Sequence, residues 1–468
     1  MTKDRKKIVL IGAGSAVFTQ GLLADFIQAK DFGSWEVGLV DIDKKALDSI
    51  TLLAKKMVDK MNADIIIRSS QDRRELLPGA DVVVTTIAVG GRRAWENDVF
   101  IPRKYGIYQP VGDTTMPGGI SRALRMIPTM IKIAKDVKEL CPNAYFFNYS
   151  NPMTAIISAV RKVVDFPIVG LCHGSIYLEK YLSRFLSVDV EQISSIGVGL
   201  NHLTFLYDLR VNGENAWPTV NKVLNDQKEK VAKGGHEYNF FNPMLEDSEV
   251  PQFLDNPFSW AFYEKYGAVP AVLDRHVVEF FPERFPEGKY YNHTLGQNAF
   301  PFEAVIERGD RVYSNMISQA EGELEVNSEL FNRTDGEHEQ LVEILRSLYN
   351  DERKTFYINC PNKGAVPNLP ANSVLEMPAV ATGNGFYQMF VPDFPETLAS
   401  IIRKRLSVVD LTVEAAITGN RDYVIEAMLL DGSVTSEEVA EKLTDELLEA
   451  HKQYLPQFFG EKTIQKSI

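Results

Sequence analysis

Cysteine is scarce in this sequence: Cys141, Cys172 and Cys360 are the only three in 468 residues. An odd and sparse set is not a disulfide framework, and it points to reduced thiols in a cytoplasmic protein. Positive charge is in deficit too. Lys and Arg number 50 against 63 Asp and Glu, a net charge of −13. That balance argues against sequence-independent binding to nucleic acid or to an anionic membrane. It does not speak to one local basic pocket. No apolar run reaches the roughly 18–20 residues that a membrane-spanning helix needs. Lys3, Arg5, Lys6 and Lys7 ahead of the apolar residues 8–18 superficially resemble a secretory leader. Gly12 and Gly14 interrupt that run, which reads better as a strand entering a tight turn. Internal repeats and low-complexity tracts are also missing.

What is present is ordinary globular composition, 45% hydrophobic and 24% charged. The length allows two or three domains and a large buried core. Over the first 200 residues short apolar runs alternate with longer amphipathic ones. Residues 7–11, 36–40, 81–89, 144–149 and 168–171 read as buried strands. Residues 44–61 and 122–140 read as helices between them. This is the pattern of βαβ units, an α/β fold with a parallel sheet covered on both faces. Residues 194–211 are β-rich and end in Asn212-Gly213, a dipeptide that favours a type I′ hairpin turn. The expected organisation is a Rossmann-like, doubly wound unit over 1–195 and a second α+β, largely helical unit over 196–468. Within the second, 222–258 reads as a polar loop or surface insertion and 396–430 as helical. A last helix is expected from Thr435, with Glu438 completing a capping box, to about Tyr454.

Gly12-Ala13-Gly14-Ser15 follows the first strand. The glycines permit a tight turn and close approach of a pyrophosphate, and the next helix offers its unpaired N–H groups to that anion. The third glycine of the usual fingerprint is replaced by Val17. Asp41, at the end of the second strand, can accept hydrogen bonds from ribose hydroxyls and would repel a 2′-phosphate, so NAD is favoured over NADP. Asp43 is its rival. In a parallel sheet the C-terminal strand ends share one edge, where ligands bind. Those ends carry Gly12 and Gly14, Asp41, Val89-Gly90-Gly91-Arg92-Arg93, Asn148 to Met153, and Cys172-His173-Gly174-Ser175. Cys172 and His202 are a candidate open metal site that substrate and water would complete. Core packing is the alternative for both. Of the other histidines, His276 has the most suggestive setting, beside Asp274 and Arg275.

These segments together resemble the family 4 glycoside hydrolases. Further matching segments are residues 101–106, Pro117-Gly118-Gly119, Asn148 to Met153, Gly199-Leu200-Asn201-His202, and 362–370. The resemblance covers nearly the whole chain. It implies an NAD- and Mn2+-dependent glycosidase, outside the usual two-carboxylate mechanism. In such enzymes hydride leaves C3 of the sugar, the ketone acidifies the C2 proton, and a base removes it. The glycosidic bond then breaks by elimination, water adds, and the steps reverse. By resemblance Cys172 and His202 are metal ligands, and Asn151 holds sugar hydroxyls. His173 is the acid for the leaving oxygen, with Asp113 as an alternative, and Asp274 matches the C2 base. Cys172-His173-Gly174-Ser175 and residues 274–280 resemble members acting on α-linked uronic acids. Arg92, Arg93 and Arg275 are then the candidates for binding the C5 carboxylate bidentately. The expected activity is an α-hexuronidase, for a glucuronide or galacturonide, in a homodimer or homotetramer. Alternatives are an α-galactosidase of the same family, a 2-hydroxyacid dehydrogenase and a silent NAD-binding protein.

Overall fold

A computed structural model describes residues 5–234, 255–331 and 340–460. The first half runs β1 (Lys6–Ile11), α1 (Phe18–Gln28), β2 (Trp35–Val40), α2 (Lys44–Met61), β3 (Ile65–Ser70), α3 (Arg73–Leu76), β4 (Val82–Thr85), α4 (Gly91–Arg103), α5 (Met116–Leu140), β5 (Tyr145–Asn148), α6 (Met153–Val164), β6 (Val169–Gly170) and α7 (Gly174–Leu186). The second continues with β7 (Ile193–Leu200), β8 (Leu203–Val211), β9 (Glu214–Asn215), α8 (Trp217–Gly234), α9 (Pro257–Tyr266), β10 (Val269–Pro270), α10 (Leu273–Val277), β11 (Lys289–Tyr290), β12 (His293–Thr294), α11 (Phe302–Glu321), α12 (Leu341–Asn350), β13 (Thr355–Pro361), β14 (Val374–Thr382), β15 (Gly385–Gln388), α13 (Glu396–Thr418), α14 (Arg421–Asp431), α15 (Glu437–Ala450) and α16 (Pro456–Phe459).

The first six strands are parallel and lie in the order β3-β2-β1-β4-β5-β6. The chain leaves β1 for one side, then returns to start the other side at β4. That reversal opens a crevice at the C-terminal ends of β1 and β4. The strands are there because their residues are almost wholly apolar: Ile8, Val9, Leu10, Val82, Val83 and Val84 are all buried, as a sheet covered on both faces requires. The strand at 65–70 escapes the sequence reading. It is the sheet edge and has no fully buried residue: the apolar run stops after Ile65, Ile66 and Ile67, and Arg68, Ser69 and Ser70 follow.

One sheet runs through both halves. Gly170 of β6 pairs with Asn359 of β13, and β13, β14, β7, β8 and β10 extend it antiparallel. The boundary expected at residue 195 falls inside β7. The expected hairpin turn forms, with both Asn212 (φ 51°) and Gly213 (φ 82°) left-handed between β8 and β9. The helical stretch 396–430 is two helices. Gly419 (φ 70°) ends α13, and Asn420 caps α14 by accepting the Asp422 N–H. Three local expectations need correction. α5 begins at Met116, six residues before its expected start; Pro117 sits in its first turn, where a proline costs no hydrogen bond. The last long helix is capped by Ser436, whose side chain accepts the Val439 N–H, and it ends at Ala450. Thr435 therefore lies outside it. The polar stretch 222–258 is helical to 234 as part of α8; 235–254 lie outside the described residues.

Candidate active site

The glycine turn leaves β1 as the sequence pattern requires. Gly12 has φ 93°, and a Cβ there would come within 2.8 Å of the Ile87 backbone nitrogen. At Gly14 a Cβ would meet the Asp41 carboxylate at 2.7 Å. Asp41 closes this turn: Oδ2 accepts the Gly14 N–H at 2.7 Å and Oδ1 the Asp43 N–H at 2.9 Å. Asp43 instead caps α2, accepting the Ala46 N–H at 3.1 Å. The two carboxylates thus have different jobs, and both border a cavity of about 1350 Å³. Gly12, Gly14 and Ser15 lie on one wall of the cavity, and Val312 and Tyr313 of α11 on another. In a protein of net charge −13 this cavity is basic: Arg73, Arg92, Arg93, Arg122, Lys180, Arg184, Arg275 and Arg308 line it.

Beside the cavity three side chains converge. Asn201 and His202 make the tight turn between β7 and β8, with His202 at φ 66°. Asp113 comes from the loop before α5, and His276 from α10. One ligand atom from each of Asp113, His202 and His276 lies within 4.8 Å of the others, a spacing that suits a metal ion. The imidazoles are 4.3 Å apart, and His202 Nδ1 is 3.9 Å from Asp113 Oδ1. Thr114 Oγ1 donates to Asp113 Oδ1 at 2.6 Å, which leaves it to accept from His202 Nδ1 at 2.8 Å. That assigns the proton to Nδ1 and leaves the Nε2 lone pair for a ligand. Burial keeps both rings neutral: His202 is pushed down to about 4, and His276 lies well below the ordinary histidine range. Asn151 Nδ2 donates to Asp113 Oδ2 at 3.0 Å, while its buried Oδ1 has no hydrogen-bond partner among the described residues.

Of the residues expected in the site, His202, Asp113 and Asn151 come together, with His173 and Arg275 on the adjoining cavity wall. Cys172 is not a member of the three-ligand cluster; its Sγ lies 3.4 Å from the Gly174 N–H at the start of α7. Asp274 as a base is a correction. It is fully buried and off the cavity, and it accepts from Phe258 N, Ser259 N, Ser259 Oγ and Tyr290 Oη. Burial raises its pKa to about 6, but four donors at the start of α9 and from Tyr290 already occupy its oxygens. Its job is to cap α9 from a distance. Arg92 and Arg93 reach the cavity but share Asp310 of α11, at 2.6 and 2.5 Å.

Sequence reasoning missed three groups. Arg122 lines the cavity and donates from Nε to the Asn151 carbonyl at 3.1 Å. In the sequence it was one polar residue in an amphipathic helix. Glu279 is buried, and its Oε1 accepts both Val111 N–H and Gly112 N–H, at 2.7 and 2.8 Å, holding the loop that carries Asp113. Glu376 of β14 accepts from Ser175 Oγ (2.8 Å), Asn359 Nδ2 (2.9 Å) and Asn201 Nδ2 (3.5 Å). It ties the start of α7, beside Cys172 and His173, to the turn that carries His202. An isolated acidic residue in an apolar strand was the only signal for it.

Residues 7–188 match the model of the family described as family 4 glycosyl hydrolase, and residues 197–434 match that of its C-terminal domain. The chain belongs to glycosyl hydrolase family 4. The two matches together span both halves of the chain. This family 4 glycosidase is 29% identical to an alpha-galactosidase of Bacillus subtilis, over 97% of this chain and 100% of the relative. It is 30% identical to an alpha-galacturonidase of Thermoanaerobacterium saccharolyticum, over 96% of each. Its fold matches the solved structure of a 6-phospho-alpha-glucosidase from gut microorganisms, with a TM-score of 0.82 at 20% identity over 97% of this chain and 100% of that one. Similar identity to relatives of different specificity leaves the sugar to be argued from the site.

Proposed function

We propose that this family 4 glycosidase cleaves α-linked hexuronides, a galacturonide or glucuronide, with NAD and Mn2+ as cofactors. The observation that carries the reading is a strongly basic cavity beside a three-ligand cluster in an acidic protein. Such a cavity suits an anionic dinucleotide and an anionic sugar together. The solved 6-phospho-alpha-glucosidase is in complex with NAD and Mn2+, and one relative is an alpha-galacturonidase; both support the assignment. The residues fit the cofactors: glycines whose side chains the turn has no room for, a carboxylate beside them, and two neutral imidazoles next to Asp113.

In this reading the backbone of Gly12, Gly14 and Ser15 faces the pyrophosphate, and Asp41 faces the ribose. His202 is the metal ligand common to both lines of argument, with Cys172 added by resemblance and Asp113 and His276 by geometry. When bound, the dinucleotide supplies a hydride acceptor and the metal a Lewis acid for sugar oxygens. Asn151, held by Asp113, presents its unpaired Oδ1 to a sugar hydroxyl. His173 starts α7 at the cavity wall and protonates the leaving oxygen. Arg275 lies nearby on the same wall. The reduced thiols suit a cytoplasmic enzyme, and a homodimer or homotetramer carries over by resemblance.

The test is turnover of an aryl α-galacturonide and α-glucuronide, deuterated at C2, with NAD+, Mn2+ and a reductant. Expected are aglycone release, washout of the label into water and no accumulation of NADH. Full retention of deuterium would refute the elimination route, and faster cleavage of neutral α-galactosides would refute the uronide assignment.

A further inference from the structure

Among the cations lining the cavity, Arg122 is the one held against Asn151, next to the metal cluster, in a setting that asks for a ligand. Arg73, Arg92 and Arg93 already have carboxylates: Asp136 for the first and Asp310 for the other two. The next cation along α5, Arg125, is fully buried and paired with Asp98 at 2.5 Å. Among the described residues no carboxylate lies within ion-pair distance of Arg122. Its one side-chain hydrogen bond to those residues runs from Nε to the Asn151 carbonyl, and its guanidinium carbon lies 5.8 Å from the centre of the Trp95 ring. Both contacts fix the direction of the guanidinium and leave the two Nη groups uncommitted. Asn151 in turn holds Asp113 beside His202. Arg122 is therefore one residue removed from the metal cluster, on the wall of the same cavity.

Removing a cation from water without a counter-ion is costly, and a bound anion is the usual remedy. Burial, followed by the neighbouring Arg125 charge, lowers the pKa of this guanidinium, and the more distant Asp113 and Asp98 offset that only in part. A pre-aimed fork with both ends open fits a planar carboxylate in bidentate fashion. We propose that Arg122 is the specificity-determining residue of the site and binds the carboxylate of the sugar, while Arg92 and Arg93 serve to brace α4 against α11. This rests on the uronide reading above.

Equilibrium binding tests it without turnover. The enzyme loaded with NAD+ and Mn2+ is titrated with D-galacturonate, D-galactose, D-glucuronate, D-glucose and glucose 6-phosphate. The wild type is expected to bind a uronate more tightly than the matching hexose. In Arg122→Gln that preference should fall by roughly 10- to 100-fold, the size of a charge-assisted bidentate pair. Arg122→Lys should recover only part of it, because an ammonium cannot pair with both oxygens in one plane. The double variant Arg92→Ala/Arg93→Ala should keep it. Four results would overturn the proposal: equal weakening of uronate and hexose, no uronate preference in the wild type, loss of NAD+ affinity with uronate binding intact, or tighter binding of the 6-phosphate than of either uronate. Aryl-glycoside cleavage tests the activity separately. An enzyme that binds uronate through Arg122 but cleaves nothing would sink the glycosidase chemistry and leave this assignment standing.

Discussion

At the scale of single residues, environment decides which of several similar side chains does chemistry. Asp113 and Asp274 are both aspartates near site histidines. One is part of an open cluster, and the other is enclosed by four donors. His202 and His276 would be half-charged near neutral pH in water; burial makes them neutral and so fit to be ligands. The expected consequence concerns metal content. His202→Ala should lose Mn2+ by any reading. If the geometric cluster holds the ion, His276→Ala should weaken Mn2+ binding about 10-fold or more, in line with the cost of losing a ligand or its support. If the resemblance holds, Cys172→Ser should do so. Metal analysis after dialysis reads each variant, with NAD+ affinity as the control for folding. Retention of Mn2+ in all three variants would remove the site from this corner of the fold.

At the scale of elements, loops and turns carry the site, and buried carboxyls from distant strands and helices clamp them. Glu279 is the clearest case. Burial pushes its pKa up to about 8, so it is largely protonated at pH 7 in the folded protein. In the unfolded chain it would ionise near the ordinary value of about 4.3. Between those values the folded state holds one proton more, so this group makes stability fall as pH rises, by up to about 1.4 kcal/mol per pH unit. The loss should level off above about pH 8, once the folded state ionises too. A Glu279→Gln variant keeps an oxygen for Val111 and Gly112 but cannot ionise. In chelator, its denaturant midpoint should change less than that of the wild type between pH 5 and 8, and it should be the more stable protein at pH 8. Parallel pH profiles for the two would mean Glu279 is charged in the folded state.

At the scale of the whole molecule, the two family segments share one sheet and one core. β6 pairs with β13, and Val408, Val413, Ala415 and Ala416 of α13 join the buried cluster of α5 and α6. Splitting the chain near residue 195 would expose that apolar face and an unpaired strand edge. Calorimetry on the full chain should therefore show a single transition. Two resolved transitions would mean that the halves fold independently.

The sequence by itself determined a good deal. Apolar runs at strand spacing established the parallel sheet, because burial on both faces demands them. The glycine turn and Asp41 marked the nucleotide crevice, because a backbone that must approach a phosphate has few substitutes for glycine. His202 and Asn151, which the structure brings together with Asp113, stood out in the sequence because they fall at strand ends. Only the tertiary structure decided the rest. Whether Asp274 faces a cavity or caps a helix depends on α9, whose Phe258 donates its N–H from 16 residues away in sequence. Whether Arg92 is open to an anion depends on Asp310, which lies 218 residues away. Sequence position records neither long-range pairing nor its absence, and the chemistry of a charged side chain is set by the groups that reach it in space.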